Sequence, residues 1–126
     1  MKKNKIVIRS SAAEFLIFER QKKESSVEVR FENGDLWLTQ KAIAVLYNVD
    51  RTVITKHIKN IYDELELEDK STSAIFALVQ QEGDRNVERK TNYYNLDVVI
   101  SVGYRVNSDR AIQFRRWATY VLKEFS

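Results

Sequence analysis

Few side chains in this sequence have the types and spacing that catalysis or metal binding requires. The chain has one histidine and no cysteine, so a thiolate nucleophile and a thiolate metal site are both excluded. His57 has no evident nucleophile to activate. Asp97 and Asp109 are conceivable metal ligands, but neither a histidine cluster nor a glycine-rich phosphate loop accompanies them. We therefore expect no enzymatic activity, no metal ion and no cofactor.

The side chains that suit nucleic-acid binding are better placed. Arg51, Thr52, Thr55 and Lys56 recur on one side of a helix predicted over Asp50–Ile61. Short polar and basic side chains of this kind can reach base edges in a DNA major groove, where no bulky apolar group obstructs them. We therefore predict that these four side chains approach base edges. The side chains predicted to hold phosphates and set the register are Gln40, Lys59 and Asn60.

Two short helices joined by a tight turn would position these side chains. Gln40–Leu46 forms the first predicted helix, with Thr39 as its N-cap. Asn48 can take the left-handed conformation that the turn needs, and Asp50 can cap the second helix. The apolar stripe of that second helix consists of Ile54, Ile58 and Ile61. Residues 38–61 are therefore predicted to form a helix-turn-helix.

The net charge of the chain is concentrated in the same stretch. Residues 38–61 contain four basic side chains and one acidic side chain. Their net charge therefore equals the formal net charge of +3 for all 126 residues. A cationic surface favours polyanions such as DNA, although a small surplus on a solvated helix face has the same appearance.

Hairpin signals flank the two helices. Asn33-Gly34, between the alternating run Val27–Glu32 and Leu36–Leu38, is typical of a type I′ turn. Ala74–Gln81 and Asn86–Asn95 predict a second hairpin, which either acts as a wing or simply closes the core. In the wing interpretation, the side chains able to contact phosphates are Arg85, Arg89 and Lys90. A further short strand is predicted over Phe15–Phe18.

The C-terminal third is predicted to be helical. A short helix follows Asn95 and ends at Gly103, and a longer one is capped by Ser108. The longer helix has an apolar stripe of Ala111, Phe114, Ala118, Val121 and Phe125, with Arg110, Arg115, Arg116 and Lys123 off that stripe. The predicted fold is α+β: a helix-turn-helix flanked by small antiparallel hairpins, with a C-terminal amphipathic helix, and thus winged-helix-like.

We expect a tail over residues 1–14 and a single domain over residues 15–126, which we interpret as a fragment of a longer protein. The N-terminal apolar run Ile6–Ile8 is too short for a secretory signal, and no stretch is apolar over the length of a membrane span. We therefore expect a cytoplasmic protein.

Two segments resemble a known family. The motifs are Trp37–Gln40 continuing through His57–Ile61, then Tyr93–Val106, with Gln113–Arg115 and Trp117–Thr119. Together they resemble the RhuM family of bacterial proteins, and the region around Phe114–Trp117 is more distantly similar to the end of the Bro-N domain of viral and phage DNA-binding proteins. The resemblance implies a DNA-binding protein, called a virulence protein, from mobile-element or restriction-modification loci.

Two functions from different classes are consistent with the sequence. The first is a module that binds double-stranded DNA, with a role in transcription regulation. The alternative is a protein-interaction domain without direct DNA contact, and a homodimer is a candidate assembly for either. The alternative would use the C-terminal helix and the tyrosines that we expect to be exposed, namely Tyr93, Tyr94, Tyr104 and Tyr120.

Overall fold

The structure is a computed structural model that describes residues 27–125, apart from the side chains of Leu78 and 121–125. Within that range, five helices accompany a four-stranded antiparallel sheet. The elements in chain order are β1 (Arg30–Glu32), β2 (Asp35–Leu38), α1 (Gln40–Tyr47), α2 (Arg51–Asp63), α3 (Asp69–Thr72), β3 (Ser73–Glu82), β4 (Arg85–Asn95), α4 (Leu96–Arg105) and α5 (Asp109–Phe125). The expected α+β class is confirmed, while the strand predicted over Phe15–Phe18 lies outside the described residues.

The first hairpin has the predicted turn. Asn33 and Gly34 connect β1 to β2 with positive φ angles of 52° and 72°. Asparagine and glycine tolerate these angles, which suit the right-handed twist of the flanking strands. The first strand is shorter than the Val27–Glu32 alternation predicted, because it begins at Arg30.

The second hairpin joins the first through its base. β4 pairs with β2, where Leu38 lies opposite Tyr94, so the strand order is β1-β2-β4-β3. Tyr93, Tyr94 and Asn95 at this base are buried, but every residue from 79 to 86 is exposed. The interpretation that this hairpin simply closes the core therefore holds only for its base, and the distal part projects beyond the core.

Two helices begin directly after the central strands. Thr39 follows β2 and accepts a hydrogen bond from the Ala42 amide at 3.1 Å, as expected of an N-cap. Asn95 ends β4 and accepts from the Asp97 amide at 3.1 Å and the Val98 amide at 3.4 Å. The core then forms between the sheet and the helices, and its fully buried large side chains are Leu38, Ile43, Leu46, Tyr47, Ile54, Ile61, Val98, Val99, Val102 and Phe114.

The predicted end of α4 at Gly103 is wrong, because the helix continues to Arg105. Glycine is required at this position by close packing and not by a change of backbone direction. A Cβ on Gly103 would lie 2.5 Å from the Tyr47 hydroxyl oxygen and 2.6 Å from two atoms of the Phe114 ring. Gly103 is therefore a point of close contact between α4 and the side chains of Tyr47, at the end of α1, and Phe114, on α5.

The last helix begins as predicted. The Ser108 hydroxyl oxygen accepts a hydrogen bond from the Ala111 amide at 3.1 Å and donates to the Tyr47 carbonyl at 2.7 Å. It thus caps α5 and ties it to the end of α1. Ala111, Phe114 and Ala118 are buried, which confirms the predicted stripe as far as the described side chains extend.

We expect Gly103→Ala to lower the free energy of unfolding by roughly 1–3 kcal/mol, because the added methyl group overpacks the contact with Tyr47 and Phe114. Alanine would otherwise stabilise a helix by up to about 1 kcal/mol relative to glycine. A net loss of stability in urea denaturation would therefore show that the close packing around Gly103 outweighs the gain in helix propensity. Thr119→Ala, an exposed change on α5, serves as the control and should stay within about 0.5 kcal/mol of the unsubstituted protein. Equal stability of Gly103→Ala would contradict the packing account.

Candidate nucleic-acid interface

The turn between α1 and α2 has the conformations that were predicted. Asn48 adopts the left-handed region at φ 53° and ψ 52°, and the Val49 amide donates to the Ala44 carbonyl at 3.0 Å. Asp50 then caps α2, where its carboxylate accepts from the Thr52 amide at 3.1 Å and from the Thr52 hydroxyl. Both hydrogen bonds lower the pKa of Asp50, and the bond from the Thr52 hydroxyl has the larger effect.

α2 has one buried face and one exposed polar face. Ile54, Ile58 and Ile61 are buried, as their spacing predicted. The side chains that we call the polar face, Arg51, Thr52, Thr55 and Lys56, are all exposed. Within residues 27–125, neither Arg51 nor Lys56 takes part in an ion pair. The polar face is therefore not covered by the sheet and keeps two cations available to a ligand.

Gln40 connects the two helices to the sheet. It is half-buried at the start of α1, where its Oε1 accepts from the Thr55 hydroxyl at 2.6 Å and its Nε2 donates to the Tyr94 hydroxyl at 3.2 Å. Gln40 was predicted to hold phosphate, and the structure places it against α2 and β4. Sequence reasoning missed Tyr94 as its partner, because 54 residues separate the two in the chain.

The other two predicted phosphate contacts lie farther along α2. Lys59 is exposed and forms an ion pair with Asp63 one turn later, at 3.1 Å. Such an exposed pair stabilises a helix only weakly, so it would yield readily to a phosphate. Asn60 is half-buried.

The acidic segment after α2 is partly neutralised by a residue that sequence reasoning did not select. Arg105, the last residue of α4, contacts the Glu64 carboxylate at 2.5 Å and the Glu66 carboxylate at 3.1 Å. The acids therefore hold Arg105 and not the cations of the polar face. This pairing could not be predicted from local spacing in the sequence, because 39 and 41 residues separate the partners.

His57 lies beside the polar face and is half-buried. Its pKa is lowered from the ordinary value of 6.5, first by desolvation and then by the positive charges of Arg105 and Lys56. Both causes favour the neutral imidazole at pH 7. The cations of the polar face at neutral pH are therefore the arginine and the lysine.

The projecting hairpin carries the remaining predicted contacts. Arg85, Arg89 and Lys90 are exposed, but Arg89 forms a 2.5 Å ion pair with Glu82 across the hairpin. Residues 82–90 contain three basic and three acidic side chains, so this end of the hairpin has no formal net charge. Its attraction for phosphates is accordingly weaker than that of α2.

The set of tyrosines predicted to be exposed is only half correct. Tyr104 and Tyr120 are exposed, at 46% and 64%, but Tyr93 and Tyr94 are buried at the base of the hairpin. A surface groove of about 380 Å³ on α5 is lined by Ile112, Arg115, Arg116, Thr119 and Tyr120. Arg115 has an internal role as well, because its guanidinium donates to the Gly103 carbonyl at 3.0 Å and the Val106 carbonyl at 2.8 Å, where α4 ends.

Metal-binding clusters and membrane-spanning helices are both absent from residues 27–125. No group of three or more His, Asp or Glu side chains there could hold a metal ion. No helix in that range has the length and apolar character needed to cross a membrane.

One comparison with known proteins gave a match. Residues 71–126 match the model of the virulence protein RhuM family. The resemblance inferred from Tyr93–Val106, Gln113–Arg115 and Trp117–Thr119 is therefore confirmed over this part of the chain, which runs from α3 through α5. No curated protein and no solved structure matches the chain. α1 and α2 precede the matched residues, and α2 carries the polar face.

We expect the turn to discriminate between Asn48→Gly and Asn48→Ala. Glycine adopts the left-handed region without steric cost, whereas a Cβ opposes it by about 1–2 kcal/mol and alanine lacks the amide that makes asparagine tolerable. In urea denaturation, the alanine variant should therefore be less stable than the glycine variant by about 1 kcal/mol. Equal stability of the two variants would mean that the turn can relax out of this conformation.

We expect His57 to titrate below 6.5 in an NMR titration, where it is the only histidine. Lys56→Ala should raise this pKa, because one repelling charge is removed; Lys70→Ala, on α3, should not change it. The unfolded chain binds a proton more readily than the folded one, so this group lowers stability as the pH falls from about 6.5 through the folded-state pKa. A pKa at or above 6.5 would contradict the assigned environment.

Proposed function

We propose that this protein, whose residues 71–126 match the RhuM family, binds double-stranded DNA through a helix-turn-helix formed by α1 and α2. In this arrangement α2 is the recognition helix, and its polar face enters the major groove. Arg51, Thr52, Thr55 and Lys56 meet base edges, and Lys59 and Asn60 lie toward the phosphate backbone. Gln40 was predicted as a third phosphate contact, but its amide is bonded to Thr55 and Tyr94, so it supports the polar face from behind. The function is thus one of binding and not of catalysis.

The observation that carries the proposal is the two-sided character of α2. Its apolar stripe is anchored in the core, while the opposite face is exposed, short and polar, with two cations that no carboxylate among residues 27–125 neutralises. Any surface helix has an apolar and a polar face, but one kept only for packing needs neither short exposed side chains nor cations that lack an ion pair within the described part of the chain, which are combined here. Recognition helices require this combination, because the anchored stripe fixes the orientation in which the polar face meets the groove.

The projecting hairpin has the place of a wing in this proposal. It follows the two helices in the chain and extends beyond the core, as a wing must in order to reach the DNA backbone. Arg85 and Lys90 are its candidate phosphate contacts, because Arg89 is engaged by Glu82. The hairpin is neutral overall, so it would add position more than affinity.

A protein that binds DNA must be in the compartment that contains it, and we therefore propose a cytoplasmic regulator. The family resemblance implies an association with mobile-element or restriction-modification loci. Dimerisation of the protein is also a proposal, which the symmetric half-sites of many helix-turn-helix operators make reasonable.

A second candidate function is favoured by the outer surface of α4 and α5. Tyr104 and Tyr120 are exposed, and Tyr120 and Arg116 line the groove on α5. Tyrosine and arginine are frequent anchors of protein interfaces. This surface would bind a protein partner, and its use does not exclude DNA binding by α2.

The DNA proposal is tested with Arg51→Ala combined with Lys56→Ala, which removes both cations of the polar face. We expect weaker binding to duplex DNA in fluorescence anisotropy titrations at two salt concentrations. The salt slope should become smaller by about one for each phosphate that the variant no longer neutralises. The fold should be retained, because both side chains are exposed.

The matched control is Lys70→Ala combined with Arg116→Ala, two exposed cations on α3 and α5. It makes the same change in net charge and should leave the affinity nearly unaltered. Equal losses of affinity in the two double variants would mean that the protein binds DNA by general charge attraction and not through the polar face. Failure of the unsubstituted protein to bind duplex DNA, together with a dimer in gel filtration, would favour the protein-interaction function.

A further inference from the structure

The hydrogen-bonding state of Thr55 limits what it can offer to a ligand. Its hydroxyl group has one hydrogen and two lone pairs. Two internal acceptors lie within reach of that hydrogen: Gln40 Oε1 at 2.6 Å and the Arg51 carbonyl oxygen at 3.1 Å. The side chain is nevertheless exposed on the polar face of α2.

This limit does not depend on which way the Gln40 amide points. With its oxygen toward Thr55, as in the structure, the amide takes the hydroxyl hydrogen and its nitrogen donates to the Tyr94 hydroxyl. With its nitrogen toward Thr55, the amide donates to the hydroxyl oxygen, and the Arg51 carbonyl takes the hydrogen instead. In both orientations the hydrogen is used internally, and a lone pair of Thr55 Oγ1 remains for the exposed side.

We infer that Thr55 acts as a hydrogen-bond acceptor on the recognition helix and selects a base that presents an amino group in the major groove, namely adenine through N6 or cytosine through N4. This inference rests on the proposed function and deepens it. Guanine presents only acceptors at that edge, and thymine presents an acceptor and a methyl group. On the strand that Thr55 faces, either would place an acceptor against an acceptor unless Thr55 gave up an internal bond, because the amino group of the pair then belongs to the base on the opposite strand.

Gln40 is the positioning residue in this arrangement. Its side chain is held between β4 and α2 by Tyr94 and Thr55, so it orients the hydroxyl group without itself meeting the base. A leucine at position 40 would leave the Arg51 carbonyl, at the longer distance, as the remaining acceptor among the described residues. With no amide at position 40 to direct the hydroxyl group in either orientation, this longer bond would hold the hydrogen only part of the time, and the discrimination between bases would weaken.

The test is a selection from random duplex oligonucleotides with the unsubstituted protein, followed by affinity measurements on single-base variants of the selected site. The unsubstituted protein should favour adenine or cytosine over guanine and thymine at one position by about fivefold to tenfold, the range expected for one hydrogen bond. Thr55→Val should abolish that preference and leave the other positions unchanged. Thr55→Ser, which retains the hydroxyl, should preserve it.

The positioning role is tested separately. Gln40→Leu should relax the preference at the same position. Gln40→Glu should preserve it, because a carboxylate still accepts the Thr55 hydrogen, although its charge should weaken binding at all sequences alike. Circular dichroism and urea denaturation check that each variant folds.

The outcomes separate this inference from the function on which it rests. If the unsubstituted protein enriches a sequence but Thr55→Val leaves every position unchanged, Thr55 reads no base and the inference fails, while the DNA-binding proposal stands. A preference for guanine or thymine that depends on the Thr55 hydroxyl would also overturn it. If the unsubstituted protein binds no DNA in the selection, both are overturned.

Discussion

The fold depends above all on the burial of Tyr47 with its hydroxyl group satisfied. This residue ends α1 and is fully buried, and its hydroxyl donates to the Val99 carbonyl at 2.7 Å inside α4. Its ring meets the Phe114 ring edge-on, with centroids 5.7 Å apart, and its carbonyl accepts from Ser108. One residue thus joins α1, α4 and α5. Because an unsatisfied buried hydroxyl costs about 1–3 kcal/mol, an arrangement of the three helices that keeps this bond is favoured by that amount. Burial also raises the pKa of Tyr47, so the phenol remains protonated.

The position of α2 follows from this arrangement of helices. The turn at Asn48 comes directly after Tyr47, and α2 then places its apolar stripe against the same core. Anchoring of one face leaves the opposite face exposed, and Glu64 and Glu66 pair with Arg105 and not with the cations of that face. The polarity of these side chains comes from the sequence, but their exposure and their direction come from tertiary packing. The same residues on an unanchored helix would have no defined direction.

Charge is distributed differently over the two candidate DNA-contacting elements. α2 presents cations whose charges are not neutralised within the described residues, whereas the projecting hairpin balances three basic side chains with three acidic ones. The two elements would accordingly contribute in different ways to one interface: α2 would supply affinity and base contacts, and the hairpin would supply register. The hydroxyl groups of Thr52 and Thr55 both donate to internal acceptors, so the donors of the polar face are its two cations.

The features that the sequence determined by itself are those that depend on neighbours a few residues apart. The caps at Thr39, Asp50 and Ser108, the turns at Asn33 and Asn48, and the isoleucine spacing of α2 all belong to this class, because short-range hydrogen bonds and helical periodicity leave a readable pattern. Tertiary structure alone decided the rest. The bond from Gln40 to Tyr94 and the pairing of Arg105 with Glu64 join residues 41 or more positions apart. The burial of Tyr94 and the close packing of Gly103 against Tyr47 depend on contacts of the same kind. No local pattern encodes them, since the partners meet only after the chain has folded.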